Sequence, residues 1–348
     1  MFDFSEVSLN QLVVHSIGNR TEEEGVKLSK SEMSINDQSV EDILKQYFLS
    51  QFKSDYFFSF TSESDLQINE VYNLIRQVFE EPSNFYDHSV NLAHLLYERS
   101  NHPKIKPGEF YMVRFSNVRI DDEFVDGIGL FKSETKDTFI RVYQKNESFE
   151  VDYDNGINIK KLDKGCLIFN TETELGFKVS IVDTTNRSNE AMYWRDEFLQ
   201  IKPRENEFYQ TNQIIDICKG FSDHVLTSKN NVEKQEQVAF MKRAEAYFNN
   251  TNVYDNEQFK HDIIGDDQIS EAFDEFKQDF EGQRNLSPVD QFELSEPALK
   301  KGKKYFRSII KLDKNFHIYV HSNPDYIETG FDNGKGLKYY KMYFHEES

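Results

Sequence analysis

The chain has little cysteine: among its 348 residues only Cys166 and Cys218 carry a thiol. Two cysteines cannot build the disulfide framework typical of small secreted proteins, so we expect a reducing, cytoplasmic environment. Two separated cysteines also exclude a zinc knuckle, and the sequence predicts neither a metal site nor another cofactor.

Long apolar runs are also absent. No stretch approaches the ~20 residues that a membrane-spanning helix needs, so we predict no membrane contact of that kind. The opening MFDFSEVSLNQLVVHSIGN has neither a basic region nor a long apolar core, and we expect no secretory signal. The chain lacks a Walker-type loop and a G-x-S-x-G elbow, and Gly127-Ile128-Gly129 lacks the third glycine of a dinucleotide fingerprint. We therefore predict a protein without catalytic residues.

Positive charge is scarce and unevenly distributed. Lys and Arg number 41 against 61 Asp and Glu, which gives a formal net charge of -20. Between Ala298 and His345, however, ten Lys and Arg face four Asp and Glu, so this stretch carries +6 and the other 300 residues carry -26. Such asymmetry favours a nucleic-acid or membrane contact in the basic part. The alternative is a lysine-rich edge that blocks strand pairing.

Aromatic residues are plentiful, with 31 Phe and 18 Tyr, and they indicate folded cores. Periodicity predicts an α+β domain over 1–188, a helical acidic segment over 189–297 and a basic β-rich unit over 298–348. In the first segment, five runs with strand composition are joined by short connections, which favours a mostly antiparallel sheet covered on one face by the preceding helices. The runs are GEFYMVRFSNVRI, FVDGIGLF, DTFIRVYQ, GCLIFNT and GFKVSIVD, and Asn155-Gly156 is one of the expected turns between them.

One segment has a distinctive sequence. The run KIKPGEFYMVRFSNVRIDDEFVDGIGLFKSETKDTFIRV, from Lys104 to Val142, resembles the bacterial nucleoid-associated protein family of the thirty-seven-kilodalton type. The order of elements agrees over most of the chain. The resemblance implies residence on the nucleoid in the cytoplasm, association with DNA, and contacts with DNA-handling enzymes such as topoisomerases. It provides no motif for DNA contacts, so no site residue can be carried over.

The basic stretch is the best candidate for a site. If 305–312 is a strand, Tyr305, Arg307 and Lys311 point outward, whereas Phe306 and Ile310 face the core. Such a face could pair with phosphates and offer an aromatic plane to bases. The candidate residues for binding duplex DNA are Lys300, Lys301, Lys303, Lys304, Tyr305, Arg307, Lys311, Lys338 and Lys341.

The acidic helices offer an alternative function. Between Asn231 and Gly282, thirteen acidic residues face five Lys and Arg. These helices are either solvated surfaces, a docking surface for a basic partner such as a DNA-processing enzyme, or an acidic mimic that competes for a DNA-binding protein. A homo-oligomer is compatible with the sequence but is not specified by it.

A third alternative is a metal-dependent nuclease. Asp126, Glu134 and Lys136 match a loose pattern in which two carboxylates hold a divalent ion and a lysine helps to activate water. The same residues fit an ordinary polar hairpin tip, and we therefore predict no nuclease activity that depends on them.

Overall fold

The computed structural model describes residues 2–52, 56–62, 64–120, 123–185, 193–226, 234–284, 286, 288–306, 308–312, 316–320 and 326–346, without the side chains of residues 234, 235, 308, 309, 311 and 320. The chain divides into two compact units, Met1–Arg204 and Glu205–Ser348. The three-part division drawn from the sequence stays a prediction.

The first unit combines helices with a large sheet. Its helices are α1 (Gln38–Leu49), α2 (Glu70–Glu80) and α3 (Phe85–Arg99), together with a π-helix, Tyr193–Leu199. Its strands are β1 (Phe2–Asp3), β2 (Ser8–Ile17), β3 (Val26–Lys27), β4 (Phe58–Phe60), β5 (Gly108–Ile120), β6 (Glu123–Ser133), β7 (Asp137–Lys145), β8 (Ser148–Gly156), β9 (Lys164–Phe169), β10 (Lys178–Asp183) and β11 (Ile201–Pro203).

Nine of these strands form one sheet. Its order is β11-β4-β10-β9-β6-β5-β2-β3, with β1 also paired to β5. Every strand pair described in this sheet is antiparallel. The predicted α+β class with a mostly antiparallel sheet is confirmed.

The sheet is covered on both faces. Along β5, Phe110 and Met112 belong to one buried cluster with residues of α2, α3 and the π-helix, whereas Tyr111 and Val113 belong to a second cluster with residues of α1. This separation follows from the alternation of side chains along a strand. The preceding helices were expected to cover one face, but they cover both, because α1 packs on the face opposite α2 and α3.

Strands β7 and β8 form a separate antiparallel hairpin rather than part of the large sheet. The sequence DTFIRVYQ is a strand, as predicted, but its partner β8 was missed. Asn155 and Gly156, expected to form a turn, instead lie at the end of β8. The hairpin turns at residues 146–147, where Asn146 has a φ of 56°. Asparagine tolerates this left-handed conformation better than most residues.

The second unit begins with helices and ends with hairpins. The helices are α4 (Glu207–His224), α5 (Lys234–Asn250), α6 (Asn256–Phe259), α7 (Asp267–Gln283) and α8 (Glu296–Gly302), with a π-helix at Lys260–Ile264 and a 3₁₀-helix at Lys303–Phe306. The strands are β12 (Val253–Asp255), β13 (Gln291–Glu293), β14 (Ser308–Leu312), β15 (Phe316–Val320), β16 (Ile327–Asp332) and β17 (Leu337–Met342).

An aromatic core holds the helices of this unit together. Phe221 of α4, Phe240 and Phe248 of α5, and Phe259 and Phe273 of α6 and α7 are all buried in one cluster. The hairpins β14–β15 and β16–β17 are separate two-stranded sheets. They contribute Ile310 and Ile327 to a smaller cluster with Val238 of α5.

Candidate nucleic-acid interface

Helix α8 carries the first lysines of the basic stretch. Ala298 is fully buried, and a Cβ added to Gly302 would lie 2.6 Å from Cδ1 of Ile215. The glycine therefore permits close packing of α8 against α4. Lys300 and Lys301 lie in the last turn of α8 and are exposed. A cationic side chain at this end of a helix interacts favourably with the helix dipole.

The chain after α8 continues as the 3₁₀-helix Lys303–Phe306, and β14 begins only at Ser308. The predicted strand over 305–312 is therefore wrong at its start, and Tyr305 does not share a strand face with the residues that follow it. The physical reason is a helical spacing of buried residues, which the sequence reading missed. These residues are Ala298, Gly302 and Phe306.

The predicted core residues of this stretch are confirmed. Phe306 is 3% exposed and Ile310 is 1% exposed, and the Phe306 ring packs 6.0 Å from that of Phe248. Arg307 and the side chain of Lys311 lie outside the described residues. The backbone of Lys311 pairs with His317 across β14 and β15.

Two lysines flank the ring of Tyr305. Nζ of Lys304 lies 4.8 Å from the ring centroid, and Nζ of Lys219, on α4, lies 4.9 Å from it. Both distances fit cation–π contacts. The two ammonium groups therefore lie within about 10 Å of each other. Lys219 was missed by the sequence reading because no local pattern connects α4 with a turn eighty-odd residues later.

The fold thus places Lys219 and Lys304, both exposed, beside the half-buried Tyr305, and three further exposed lysines precede this tyrosine in α8 and the 3₁₀-helix. We call this group the basic cluster; it consists of Lys219, Lys300, Lys301, Lys303, Lys304 and Tyr305. Lys301 also lies near an aromatic ring, with its Nζ 5.6 Å from the centroid of Phe208. The ammonium groups of Lys219, Lys301 and Lys304 thus each lie close to an aromatic ring, and all three residues remain exposed to water.

Nearby carboxylates neutralise part of the cluster. Lys300 forms an ion pair of 2.6 Å with Glu296, and the hydrogen bond from Lys300 lowers the pKa of Glu296. Burial raises the pKa of Asp216, while Lys219 and Lys304 act in the opposite direction. Within the described part of the chain no carboxylate forms an ion pair with Lys303 or Lys304. These two lysines are therefore the strongest candidates for phosphate contacts.

Lys338 and Lys341 lie on a different element, strand β17, and both are exposed. Lys341 forms a cross-strand ion pair of 3.5 Å with Glu328 and donates to the hydroxyl of Tyr343, and the latter hydrogen bond raises the pKa of Lys341. Lys338 pairs with Phe331 in the strand register. Lys338 and Lys341 are therefore separate from the candidate residues on α8 and its 3₁₀ extension, and Lys311 lies on a third element, β14.

The three residues of the nuclease-like pattern form ion pairs with three different partners. Asp126 pairs with Arg114 at 2.8 Å, Glu134 with Lys132 at 3.0 Å, and Lys136 with Glu109 at 2.6 Å. Asp126 lies within β6 and Glu134 follows its end, so eight residues of extended chain separate their Cα atoms by about 26 Å. In the described part of the chain, no group of three or more His, Cys, Asp or Glu side chains could hold a metal ion.

The comparison with known families decides the identity of the chain. The model of the family described as nucleoid-associated protein YejK matches residues 13–336. The chain belongs to this family. The expected resemblance is thereby confirmed, and the protein is nucleoid-associated. Among individually curated proteins, no significant match was found.

In this nucleoid-associated protein, a second set of lysines is buried. Nζ of Lys132 donates to the carbonyl of Lys106 at 2.7 Å, to Oε1 of Glu134 at 3.0 Å and to the hydroxyl of Tyr193 at 3.0 Å. Tyr193 in turn donates to Glu134 at 2.7 Å. Burial lowers the pKa of Lys132. Because these charged groups satisfy one another, the arrangement is a structural network.

Lys164, the cross-strand partner of Lys132, extends this network. Its Nζ donates to both carboxylate oxygens of Asp183, at 3.0 and 3.1 Å, and to Thr185 at 2.8 Å. The same Nζ lies 5.1 Å from the ring centroid of Tyr193.

No helix within the described ranges of this family member is both long and apolar enough to cross a membrane.

Proposed function

We propose that the chain is a non-enzymatic DNA-binding protein of the bacterial cytoplasm, which contacts duplex DNA through its basic C-terminal part. The observation that carries the proposal is the exposure of Lys303 and Lys304 on a short, rigidly packed turn, with Lys219 brought beside Tyr305 by the fold. Lysines that neutralise phosphates release counterions, which provides affinity without base recognition.

Clustering is what makes these cations effective on an acidic chain. The residues outside 298–345 carry -26, so isolated lysines among them would be screened by neighbouring acids. Charges within a Debye length of ~8–10 Å act together, and the Lys219 and Lys304 ammonium groups meet that distance. Lys338 and Lys341 on the hairpin β16–β17, and the basic residues Arg307 and Lys311, are further candidates for DNA contacts.

The test is the double variant Lys303→Glu/Lys304→Glu, measured by titration of duplex DNA over a series of salt concentrations. Loss of about two phosphate contacts should make the slope of log K against log salt shallower by roughly two. Affinity at low salt should fall about tenfold or more. Both side chains are exposed, so the fold should be unaffected to within about 0.5 kcal/mol.

The matched control is Lys27→Glu/Lys30→Glu, which changes the charge by the same four units at exposed positions of the first unit. It should lower DNA affinity much less, because it changes only the net charge. Equal effects of the two double variants would refute a local site. Unchanged affinity in a folded Lys303→Glu/Lys304→Glu variant would reject the basic cluster.

A second function is favoured by one observation on α7. Four exposed carboxylates recur at every fourth residue and therefore follow one side of the helix. They are Asp267, Glu271, Glu275 and Asp279. Like charges at this spacing destabilise a helix, and in the described part of the chain no cation pairs with them. We propose that this acidic row docks on a basic surface of a DNA-processing enzyme such as a topoisomerase.

The acidic row is tested with a purified bacterial DNA topoisomerase immobilised on a biosensor. The variant Glu271→Lys/Glu275→Lys should weaken binding at least about tenfold, since two opposite charges become two like charges. The control Glu22→Lys/Glu197→Lys makes the same charge change at exposed sites of the first unit. Absence of binding by the unmodified chain would reject this second function.

A further inference from the structure

The hairpin β7–β8, which we call the arm (residues 137–156), has two chemically different faces. Side chains alternate between the faces along each strand, and residues paired across the strands share a face. One face carries Ile140, Val142, Val151 and Tyr153, together with Phe149 near the tip. The remaining positions on that face are uncharged and are Thr138, Gln144 and Asn155.

The apolar residues of this face are largely exposed. Ile140 is 70%, Val142 64%, Phe149 71%, Val151 69% and Tyr153 68% exposed. Residues scattered singly on a surface need no explanation, but five adjoining ones on a regular sheet face do. No described element of the chain covers them.

The opposite face of the arm holds all of its paired charges. Arg141 pairs with Asp152 at 3.5 Å, and Lys145 pairs with Glu150 at 3.0 Å. Tyr143 also donates to Glu150 at 3.2 Å. The charged face is therefore suited to water, whereas the other face is suited to a packed layer. An isolated two-stranded hairpin is at best marginally stable in water, so nine-residue strands of this composition call for such a layer.

We propose that the apolar face of the arm packs on the same face of a second copy of this chain. A two-fold contact requires a surface that is complementary to itself. The rows of this face run from Ile140 and Tyr153, through Val142 and Val151, to Phe149. The rows are large, small and large. A two-fold axis through the valine row brings each tip phenylalanine onto the Ile140–Tyr153 row of the other copy.

The available area supports this occupant. Aromatic side chains bury about 150–250 Å² each, and the transfer energies of Val and Ile correspond to about 60–120 Å² each. Two aromatic and three aliphatic side chains, each exposed by about two-thirds, therefore offer roughly 500 Å² per copy. Two copies then bury about 1,000 Å², which reaches the lower limit for a specific interface. The two sheets would pack about 10 Å apart, the usual separation of face-to-face sheets.

The lack of charge on the apolar face also favours a second copy of the chain over a charged partner. The apolar face carries no ionisable group except the Tyr153 phenol, so it offers nothing complementary to DNA or to a basic or acidic peptide. Residues 137–156 contain five Asp and Glu and two Lys and Arg, which further disfavours nucleic acid. In a face-to-face dimer, the acidic faces of both arms point away from each other into water.

The test is the mass of the full chain in solution, measured by sedimentation over a series of concentrations. The unmodified chain should reach twice the mass of the 41.1-kDa monomer. Val151→Glu should weaken dimerisation at least about tenfold, because Val151 lies at the proposed axis and the substitution places two carboxylates against each other. Ser148→Glu adds the same charge on the opposite face, next to Lys145, and should leave the dimer unchanged.

A mixing experiment separates loss of the interface from loss of the hairpin. Val151→Lys should also be monomeric by itself, whereas an equimolar mixture of Val151→Glu and Val151→Lys should recover the dimer. Recovery cannot occur if the substitutions only unfold the arm, or if a different protein covers the face. A monomeric unmodified chain, an unaffected Val151→Glu dimer, or a mixture that stays monomeric would overturn the proposal.

Discussion

Two regions of the molecule hold lysine side chains in opposite environments. Lys132 and Lys164 lie in the large sheet, whereas Lys303 and Lys304 belong to the basic cluster. The side chains of the sheet lysines are 0% and 3% exposed, and each is held by a carboxylate. Lys303 and Lys304 are exposed, and within the described part of the chain no carboxylate forms an ion pair with either of them. Local geometry therefore decides whether a lysine stabilises the fold or is available for a ligand, and composition alone cannot distinguish the two.

The largest expected effect on stability comes from removing the charge of one buried lysine. Lys132→Met should lower the free energy of unfolding by about 3–5 kcal/mol, because Glu134 would remain buried without its cation. Lys303→Met should change it by less than about 0.5 kcal/mol. Urea denaturation of the two variants measures the difference.

A second substitution checks the cause. Lys132→Met/Glu134→Gln leaves no unpaired charge in the network and should regain part of the lost stability, since replacement of a whole buried pair costs less than breaking it. A Lys132→Met variant as stable as the unmodified chain would show that water solvates this network.

The regular strands of the sheet could be predicted from sequence because both of their faces are buried and their composition is correspondingly apolar. The runs that form β5, β6, β9 and β10 were all found in this way. Strand β8 was missed, although Phe149, Val151 and Tyr153 alternate with acids. Such alternation predicts a strand with one polar face, and the Asn155-Gly156 pair wrongly suggested a turn at that place.

The candidate site was predictable only in part. The charge distribution located Lys300 to Lys304, but it could not show that a helical turn rather than a strand carries them. The sequence did contain a signal for the helical turn, because the buried residues Ala298, Gly302 and Phe306 recur at every fourth position. Lys219 had no such signal, because its position beside Tyr305 depends on how α4 packs against α8. A contact that depends on tertiary packing leaves no local pattern in a single sequence.

Acid should weaken the first unit through a buried histidine. Nδ1 of His15 accepts from the backbone N–H of Ser29 at 3.2 Å, and the side chain is buried against Ser89. Burial, with a smaller contribution from His94, lowers the pKa of His15 to about 4. In the unfolded chain the pKa is ~6.5, so the unfolded state binds more protons between these values. The stabilisation is complete above ~6.5 and is lost as the pH falls toward 4.

The expected loss from His15 is about 2 kcal/mol at pH 5 relative to neutral pH. His15→Gln cannot be protonated and should show a correspondingly smaller decrease between pH 7 and pH 5 in urea denaturation. His261, whose side chain is 87% exposed, supplies the control. His261→Gln removes an imidazole from an exposed position, and a matching effect of both substitutions would contradict the assignment to burial.

The smallest expected effect on DNA binding tests whether Lys219 acts together with Lys303 and Lys304. Lys219→Glu should weaken binding to duplex DNA a few-fold, about 1 kcal/mol, and make the salt slope shallower by roughly one. Lys30→Glu makes the same charge change in the first unit and should have less effect on both quantities. If Lys219→Glu and Lys30→Glu behave alike, the cluster around Tyr305 is not the site.

Burial of both cysteines determines how the protein can be labelled. Cys166 in β9 and Cys218 in α4 are fully buried, and burial raises the pKa of both thiols. At neutral pH neither forms an appreciable amount of the nucleophilic thiolate. A cysteine introduced at an exposed position such as Ser148 or Lys303 would therefore react selectively with maleimide probes in the otherwise unaltered chain. Fluorophores and crosslinkers can then report on the arm and on the basic cluster individually.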